Sequence, residues 1–290
     1  MTIPGRLRHH VASGAAARIR QDFDNDFSHR RSACDRSDRI ARGFALLLGA
    51  EAPAAVPLDA GEDHATLVET AILPDGGELR LMRRGEDFAI MYGREQLMGS
   101  WDSGSEETLA RLVCERLARH DARLLIGGLG MGFTLSAALD ATTGDATIHV
   151  AELVPQVVAW AKGPLAHIFG GCLDDARVTL EIVDVHDVIV RHPQRYDGIL
   201  LDVDNGPDGL LDLANDRLYC NWGLRAAFAA LRPGGILGIW SAYHDDAFFD
   251  RLVNAGFDVD EVSVAAEDYP EAQCHLIWLA RRPDELPTSA

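Results

Sequence analysis

Lysine is almost absent from this chain, and positive charge as a whole is scarce. Lys162 is the only lysine among 290 residues, and 27 basic residues stand against 45 acidic ones, giving a formal net charge of −18. A polyanion such as DNA or RNA would be repelled by most of such a surface. We therefore predict that nucleic acid is not a substrate, whereas a small cation or plain solubility would fit the charge.

The chain also lacks cysteine motifs and long apolar runs. Its five cysteines are odd in number and widely scattered, with no CxxC or Cys/His cluster, so neither a disulfide framework nor a metal site is predicted. The segment 44–56 begins apolar but is short, is interrupted by Glu51 and lies far from the N-terminus. It suits neither a membrane span nor a signal peptide. We expect a cytoplasmic protein with no membrane partner.

The length suits one large domain with a smaller appendage. Residues 1–60 are rich in arginine and predict a partly ordered N-terminal extension with helices near 11–23 and 40–48; the alternative is an arm that contacts a partner subunit. Residues 61–104 predict a small antiparallel β domain. Residues 105–282 predict the main domain, and 283–290 a tail. The strands predicted in the small domain are 66–73, 78–82 and 88–92.

From residue 105 onward, apolar strand-like runs alternate with helical stretches, which favours a parallel sheet with helices on both faces. Ser105 is the expected N-cap of a first helix at 106–120. Further helices are predicted at 155–162, 185–191, 216–231 and 245–255. The runs 258–264 and 274–280 predict a closing antiparallel pair. This outline is that of an α/β, Rossmann-like class I methyltransferase fold with a mostly parallel seven-stranded sheet.

A glycine-rich turn and an acidic strand end mark the candidate ligand site. The run 124–126 is followed by Gly127, Gly128, Gly130 and Gly132, and the next strand ends on Glu152. Glycines let backbone approach a ligand, a helix start offers free N–H groups, and the carboxylate can accept both ribose hydroxyls. The alternative is tight packing alone. The GGxGxG spacing departs from GxGxxG and favours a mononucleoside such as S-adenosylmethionine over a dinucleotide.

Polar residues end two further strands. Asp184 could accept a hydrogen bond from an adenine amino group or simply cap the helix that follows it. Asp202, Asp204 and Asn205 follow an apolar strand, where carboxylates could hold or deprotonate an amine, although these are also common turn residues. Tyr219, Trp240, Tyr243 and His244 are candidates for the acceptor pocket, with core packing or exposure as the alternative.

The chain resembles the spermidine synthase family of aminopropyltransferases and their methyltransferase-fold relatives over residues 66–282. The matching stretches are 124–132, 151–153, 178–184, 196–202 and 231–235. The resemblance implies that Glu152 binds the ribose, Asp184 the adenine, Gln96 the tail side of the cofactor, and that Asp202 handles the attacking amine. It also implies a homodimer.

The departures from the family bear on the reaction. Gly130 replaces an acid that reads the free amine of decarboxylated S-adenosylmethionine, Ser105 and Glu106 replace a Tyr and its polar neighbour, and Asn205 replaces a second acid. We therefore expect an S-adenosylmethionine-dependent transferase that methylates a small-molecule acceptor, with an amine among the candidates. Aminopropyl transfer to a polyamine and a non-catalytic nucleoside-binding relative stay open. His186 is expected to be a loop residue rather than a catalytic base.

Overall fold

The computed structural model describes residues 65–73, 76–203, 206, 216–242, 244–265 and 274–284. The predicted N-terminal extension, with its helices near 11–23 and 40–48, lies outside the described residues, as do 285–290 of the predicted tail. Across the part of the chain that is described, no helix is both long and apolar enough to cross a membrane.

A four-stranded antiparallel meander comes first, with strand order β1-β2-β3-β4. Its strands are β1 (Thr66–Ile72), β2 (Glu78–Arg84), β3 (Asp87–Tyr92) and β4 (Glu95–Gly99). The sequence predicted only the first three strands, because β4 begins with two polar residues. Its register slips between Ile90 and Met91, which pair with Met98 and Gln96 and leave Leu97 as a bulge.

The larger sheet has seven strands in the order β10-β11-β9-β8-β5-β6-β7. All neighbours pair in parallel except β11, which is antiparallel to both β9 and β10. The strands are β5 (Arg123–Gly127), β6 (Thr147–Glu152), β7 (Val178–Ile182), β8 (Tyr196–Leu201), β9 (Leu231–Ser241), β10 (Asp258–Ala265) and β11 (Cys274–Arg281). The predicted fold class and the closing antiparallel pair are confirmed.

Helices connect these strands and cover the sheet. They are α1 (Gly104–Leu117), α2 (Phe133–Asp140), α3 (Pro155–Lys162), α4 (Ala166–Phe169), α5 (Val185–Arg191), α6 (Asp216–Tyr219), α7 (Asn221–Ala230) and α8 (Asp246–Ala255), with a 3₁₀ turn at Cys172–Asp174.

Two local predictions are wrong. Helix α1 begins one residue before Ser105, so Ser105 lies in its first turn and Ser103 takes the N-cap position. The predicted helix 216–231 is two helices, because Cys220 has extended backbone and Gly223 packs against the carbonyl of Arg217. Strand β9 is irregular near its start, where residues 232–235 bulge between the two pairs that Leu231 and Ile236 form with β8.

Two strand glycines let helix α1 approach the sheet closely. A Cβ on Gly238 of β9 would lie 2.6 Å from Val113 Cγ2 and 2.9 Å from Leu109 Cδ1. One on Gly198 of β8 would lie 3.1 Å from Val113 Cγ1. Leu109 and Val113 are fully buried, and at about 1.5 to 3 kcal/mol per buried side chain they anchor the helix. The close packing holds the first turn of α1 near the end of β8.

Candidate active site

A cavity lies at the C-terminal ends of β5, β6 and β8, between the large sheet and the small one. The strand order reverses at β5, which pairs with β6 on one side and with β8 on the other. Ligands bind at such a reversal point in sheets of this kind. Its walls are formed by Leu73, Leu79, Ile90, Tyr92, Leu97, Met98, Glu106, Gly128, Gly130, Ala151, Glu152, Leu153, Val154, Val157, Val183, Asp184, Val185, Asp202, Val203 and Trp240.

The four glycines of the turn divide into two pairs. Gly128 and Gly130 line the cavity and have φ angles of 87° and 51°, a region that favours glycine. Gly127 and Gly132 are not among the lining residues. A Cβ on Gly127 would lie 2.9 Å from Val185, and one on Gly132 would lie 2.5 Å from Phe169. These two glycines therefore serve close packing.

Glu152 stands at the end of β6 with its carboxylate buried in the wall of the cavity. Its Oε2 accepts from the backbone N–H of Leu129 at 2.8 Å, and its Oε1 accepts from that of Val154 at 2.7 Å. Burial raises the pKa of Glu152, and these backbone donors oppose the rise. One carboxylate thus ties the glycine turn after β5 to the loop after β6, and each oxygen keeps a lone pair for a further donor.

Asp184 combines capping with a position in the cavity wall. Its Oδ1 accepts from the backbone N–H of His186 at 2.8 Å at the start of α5, so the capping prediction is confirmed. Its Oδ2 pairs with the guanidinium of Arg217 in α6. The prediction that Asp184 contacts adenine stays a prediction.

Asp202 follows β8 and is fixed by Thr134, the second residue of α2. The hydroxyl of Thr134 donates to Asp202 Oδ2 at 2.6 Å. Burial raises the pKa of Asp202 to about 6, and the Thr134 bond opposes the rise. The carboxyl group is therefore able to take up and release a proton near neutral pH.

Glu106, which was not predicted among the site residues, brings a second carboxyl group to the same cavity. It lies in the first turn of α1, only 8% exposed, and accepts from the hydroxyl of Ser105 at 2.5 Å. Burial raises its pKa to about 7, and the negative charge of Asp202 adds to the rise. One feature of the sequence could have identified Glu106. It stands three residues before Leu109 and seven before Val113, so it is an acid on the apolar face of the helix.

Met98 fills the space beside Gly130. A Cβ at Gly130 would lie 2.9 Å from Met98 Cε and 3.0 Å from Met98 Sδ. An acidic side chain at this position would therefore require Met98 to move. Gln96, on the same strand, is exposed and is not among the residues that line the cavity, whereas Leu97 and Met98 are.

The four residues suggested for the acceptor pocket lie in different places. Trp240 lines the cavity, and its buried indole N–H has no partner among the described residues. Tyr219 is buried in the core and donates to the carbonyl of Val203 at 3.2 Å. His244 bridges Glu261 and Asp246. Tyr243, Asp204 and Asn205 lie outside the described residues.

His186 was expected in a loop, and this is wrong. It is the second residue of α5, is buried, and its ring lies 4.9 Å from that of Trp222. The helix begins directly after Asp184 because the carboxylate of this N-cap residue accepts a hydrogen bond from the backbone N–H of His186.

Comparisons with known proteins identify the fold. No protein-family model matches the chain. It is similar to the spermidine synthase of Thermotoga maritima, with 16% identity and a TM-score of 0.61 over 76% of this chain and 74% of that one. A spermidine synthase in complex with the transition-state analogue AdoDATO shows 17% identity and a TM-score of 0.60 over 76% of this chain and 73% of that one. A probable spermidine synthase from Corynebacterium glutamicum ATCC 13032 shows 13% identity and a TM-score of 0.53, over 78% and 83% respectively.

These likenesses show a spermidine synthase-like, class I methyltransferase fold. At such low identity these likenesses establish only the fold, so the reaction has to be inferred from the residues of this chain.

Proposed function

We propose that the chain is an S-adenosylmethionine-dependent transferase that acts on a small-molecule acceptor. The observation that carries the proposal is Glu152, a buried carboxylate at a strand end, fixed between the glycine turn and the next loop and facing the cavity. Such a group suits the two hydroxyls of a ribose. Gly128 and Gly130 bring backbone to the cofactor, and Asp184 receives the adenine amino group.

Methyl transfer is the reaction that we favour. A methyltransferase must admit the carboxylate of intact S-adenosylmethionine, and an acid at position 130 would repel it. Position 130 is glycine, and Met98 occupies the space beside it. The acceptor nucleophile attacks the methyl carbon in line with the sulfonium, and the protein positions both partners. Asp202 is the acceptor-side acid, with Asp204 and Asn205 as its helpers.

Aminopropyl transfer from decarboxylated S-adenosylmethionine is the second candidate. The charged residues among those lining the cavity are four acids, Glu106, Glu152, Asp184 and Asp202, and the described lining contains no Arg or Lys. Such a wall suits a cofactor that bears a free amine in place of an amino acid. Glu106 would then be the acid of this wall that reads the amine.

The remaining features of the proposal come from the resemblance and the composition. We propose that Gln96 lies on the tail side of the cofactor, that the active form is a homodimer, and that the protein works in the cytoplasm without metal.

Substitution of Glu152 tests the cofactor site. We expect Glu152→Gln to weaken S-adenosylmethionine binding at least about tenfold, because the amide loses the charge that strengthens bonds from ribose hydroxyls. Glu181→Gln, on the neighbouring strand and half exposed, is the matched control and should bind as the unchanged protein does. Calorimetric titration measures both. Equal affinities for the two variants would refute a ribose role for Glu152.

A further inference from the structure

We propose that Arg217 is a specificity-determining residue of the nucleoside site, and that its guanidinium donates a hydrogen bond to N7 of the bound adenine. The inference rests on the proposed transferase function and deepens it. It adds a second side chain, beside Asp184, to the recognition of the base, and it gives a physical reason why adenine is selected among the purines.

Arg217 lies in the short helix α6, which buried neighbours hold in place. Leu218 and Tyr219, the next two residues, are buried, and the hydroxyl of Tyr219 donates to the carbonyl of Val203 at 3.2 Å. Gly223 brings helix α7 tightly against α6, since a Cβ there would collide with the carbonyl oxygen of Arg217. The backbone of Arg217 is therefore fixed, and its long side chain is left to reach the wall of the cavity.

The guanidinium of Arg217 pairs with Oδ2 of Asp184, which lines the cavity. The other carboxylate oxygen, Oδ1, accepts from the backbone N–H of His186 at 2.8 Å, so Asp184 is held at both oxygens. The bond to Asp184 comes from NH2 of Arg217, and among the described residues no acceptor reaches its Nε or NH1. Each carboxylate oxygen keeps a lone pair for a further donor. The pair thus offers N–H donors next to an accepting oxygen.

A donor and an acceptor side by side match one edge of adenine. On that edge N7 accepts a hydrogen bond and the amino group at C6 donates one, and the amide of Asn or Gln bonds both at once. Arg217 and Asp184, bonded to each other, present the same arrangement. Guanine offers two acceptors on this edge, N7 and O6, so its O6 would face the carboxylate of Asp184 and be repelled.

The ion pair also distinguishes Asp184 from the other acids of the cavity. Of the four acids among its described lining residues, Asp184 is the one that pairs with an arginine. An unbalanced carboxylate favours a cation, whereas a carboxylate balanced by a guanidinium can accept from a neutral group. The wall at Asp184 is therefore suited to a neutral base.

Two nucleosides that differ at one ring position test the contact. 5′-Methylthioadenosine contains the adenosyl half that intact and decarboxylated S-adenosylmethionine share, so the test does not depend on which group is transferred. Its 7-deaza analogue has a C–H in place of N7 and keeps the amino group. Calorimetric titration with each nucleoside would compare the full-length protein with Arg217→Met, and with Arg225→Met as the control. Arg225 is an exposed arginine eight residues further along, on α7.

For the unchanged protein and Arg225→Met, we expect the 7-deaza analogue to bind about five- to tenfold more weakly, because a hydrogen bond from a charged donor is lost. Arg217→Met should bind 5′-methylthioadenosine more weakly by a similar factor and should no longer distinguish the two nucleosides.

Three results would overturn the role of Arg217 while leaving the nucleoside site intact. They are equal affinities of the unchanged protein for the two nucleosides, an equal loss of both affinities in Arg217→Met, and tighter binding by Arg217→Met. The second result would reduce Arg217 to a support for Asp184, and the third would mean that Arg217 competes with adenine for Asp184. Binding of neither nucleoside by any of the proteins would instead refute the proposed transferase site itself, and with it the contact to N7.

Discussion

Replacing Glu106 by Gln should make the protein more stable at alkaline pH. The pKa of Glu106 rises from its ordinary value of 4.5 to about 7 in the folded protein, because burial and Asp202 disfavour the ionised form. The folded state therefore binds the proton more tightly than the unfolded state. The stabilisation that this group contributes is fully present below about pH 4.5 and is lost as the pH rises through about 7.

The size of the effect follows from the pKa change. At about 1.4 kcal/mol for each tenfold change in proton affinity, ionised Glu106 lowers the free energy of unfolding by about 3 kcal/mol. Glutamine resembles the protonated acid and can still accept from Ser105. Relative to the unchanged protein, Glu106→Gln should gain about 2 to 3 kcal/mol at about pH 8 and almost nothing near pH 4.5. In a domain of this size, Tm should rise by about 5 to 10 °C.

Urea unfolding at the two pH values measures the difference directly, and a calorimetric scan gives Tm. Glu107→Gln is the control, since it removes the same charge from an exposed position in the same turn. It should change stability by less than about 0.5 kcal/mol at either pH. A Glu106→Gln protein that is less stable than the unchanged one at about pH 8, or equally shifted at both pH values, would refute the account of Glu106 as a buried acid beside Asp202.

Three further predictions concern the cavity and the packing that forms it. Gly130→Asp should favour decarboxylated over intact S-adenosylmethionine by at least about tenfold relative to Gly130→Asn, because the two variants share the positive φ and the contact with Met98 and differ only in charge. Equal cofactor preferences of the two variants in competition binding would contradict the role of Gly130. Asp184→Asn should keep the cap of α5 but lose the pairing with Arg217 and weaken nucleoside binding about tenfold. An unchanged affinity for the nucleoside in calorimetry would refute the role of Asp184 in binding adenine. Gly238→Ala should destabilise the fold by about 1 to 3 kcal/mol in urea unfolding, because the new methyl group meets Val113 and Leu109. Gly144→Ala, which has open space around it, should be near neutral, and equal effects of the two substitutions would exclude close packing as the cause.

The sequence predicts most of the large domain because its pattern is local. A buried strand, a glycine turn and a helix follow one another directly, and Glu152 ends the next strand, so the pattern itself brings the turn and the acid together. Helices α3 and α5 have the predicted bounds. By contrast, β4 begins with polar residues and is short, and its pairing with β3 through a bulge depends on contacts that the pattern does not show.

The presence of Glu106 and Asp202 in one cavity could not be predicted, because it depends on packing between distant segments. Glu106 and Asp202 lie on α1 and after β8, and they share a cavity only because Gly198 and Gly238 let α1 approach the sheet. Resemblance to a family also gave no role to Glu106, since the matching position holds a different residue there. The one local signal was an acid in line with Leu109 and Val113.

The most direct test of the account is calorimetric titration of the unchanged protein with S-adenosylmethionine and, separately, with its decarboxylated form. Because Gly130 offers no acid to repel a carboxylate, we predict that the intact cofactor binds, and binds more tightly. Tighter binding of the decarboxylated form would make the protein an aminopropyltransferase in which Glu106 reads the free amine. Binding of neither would contradict the central claim that Glu152 and the glycine turn form a nucleoside-cofactor site.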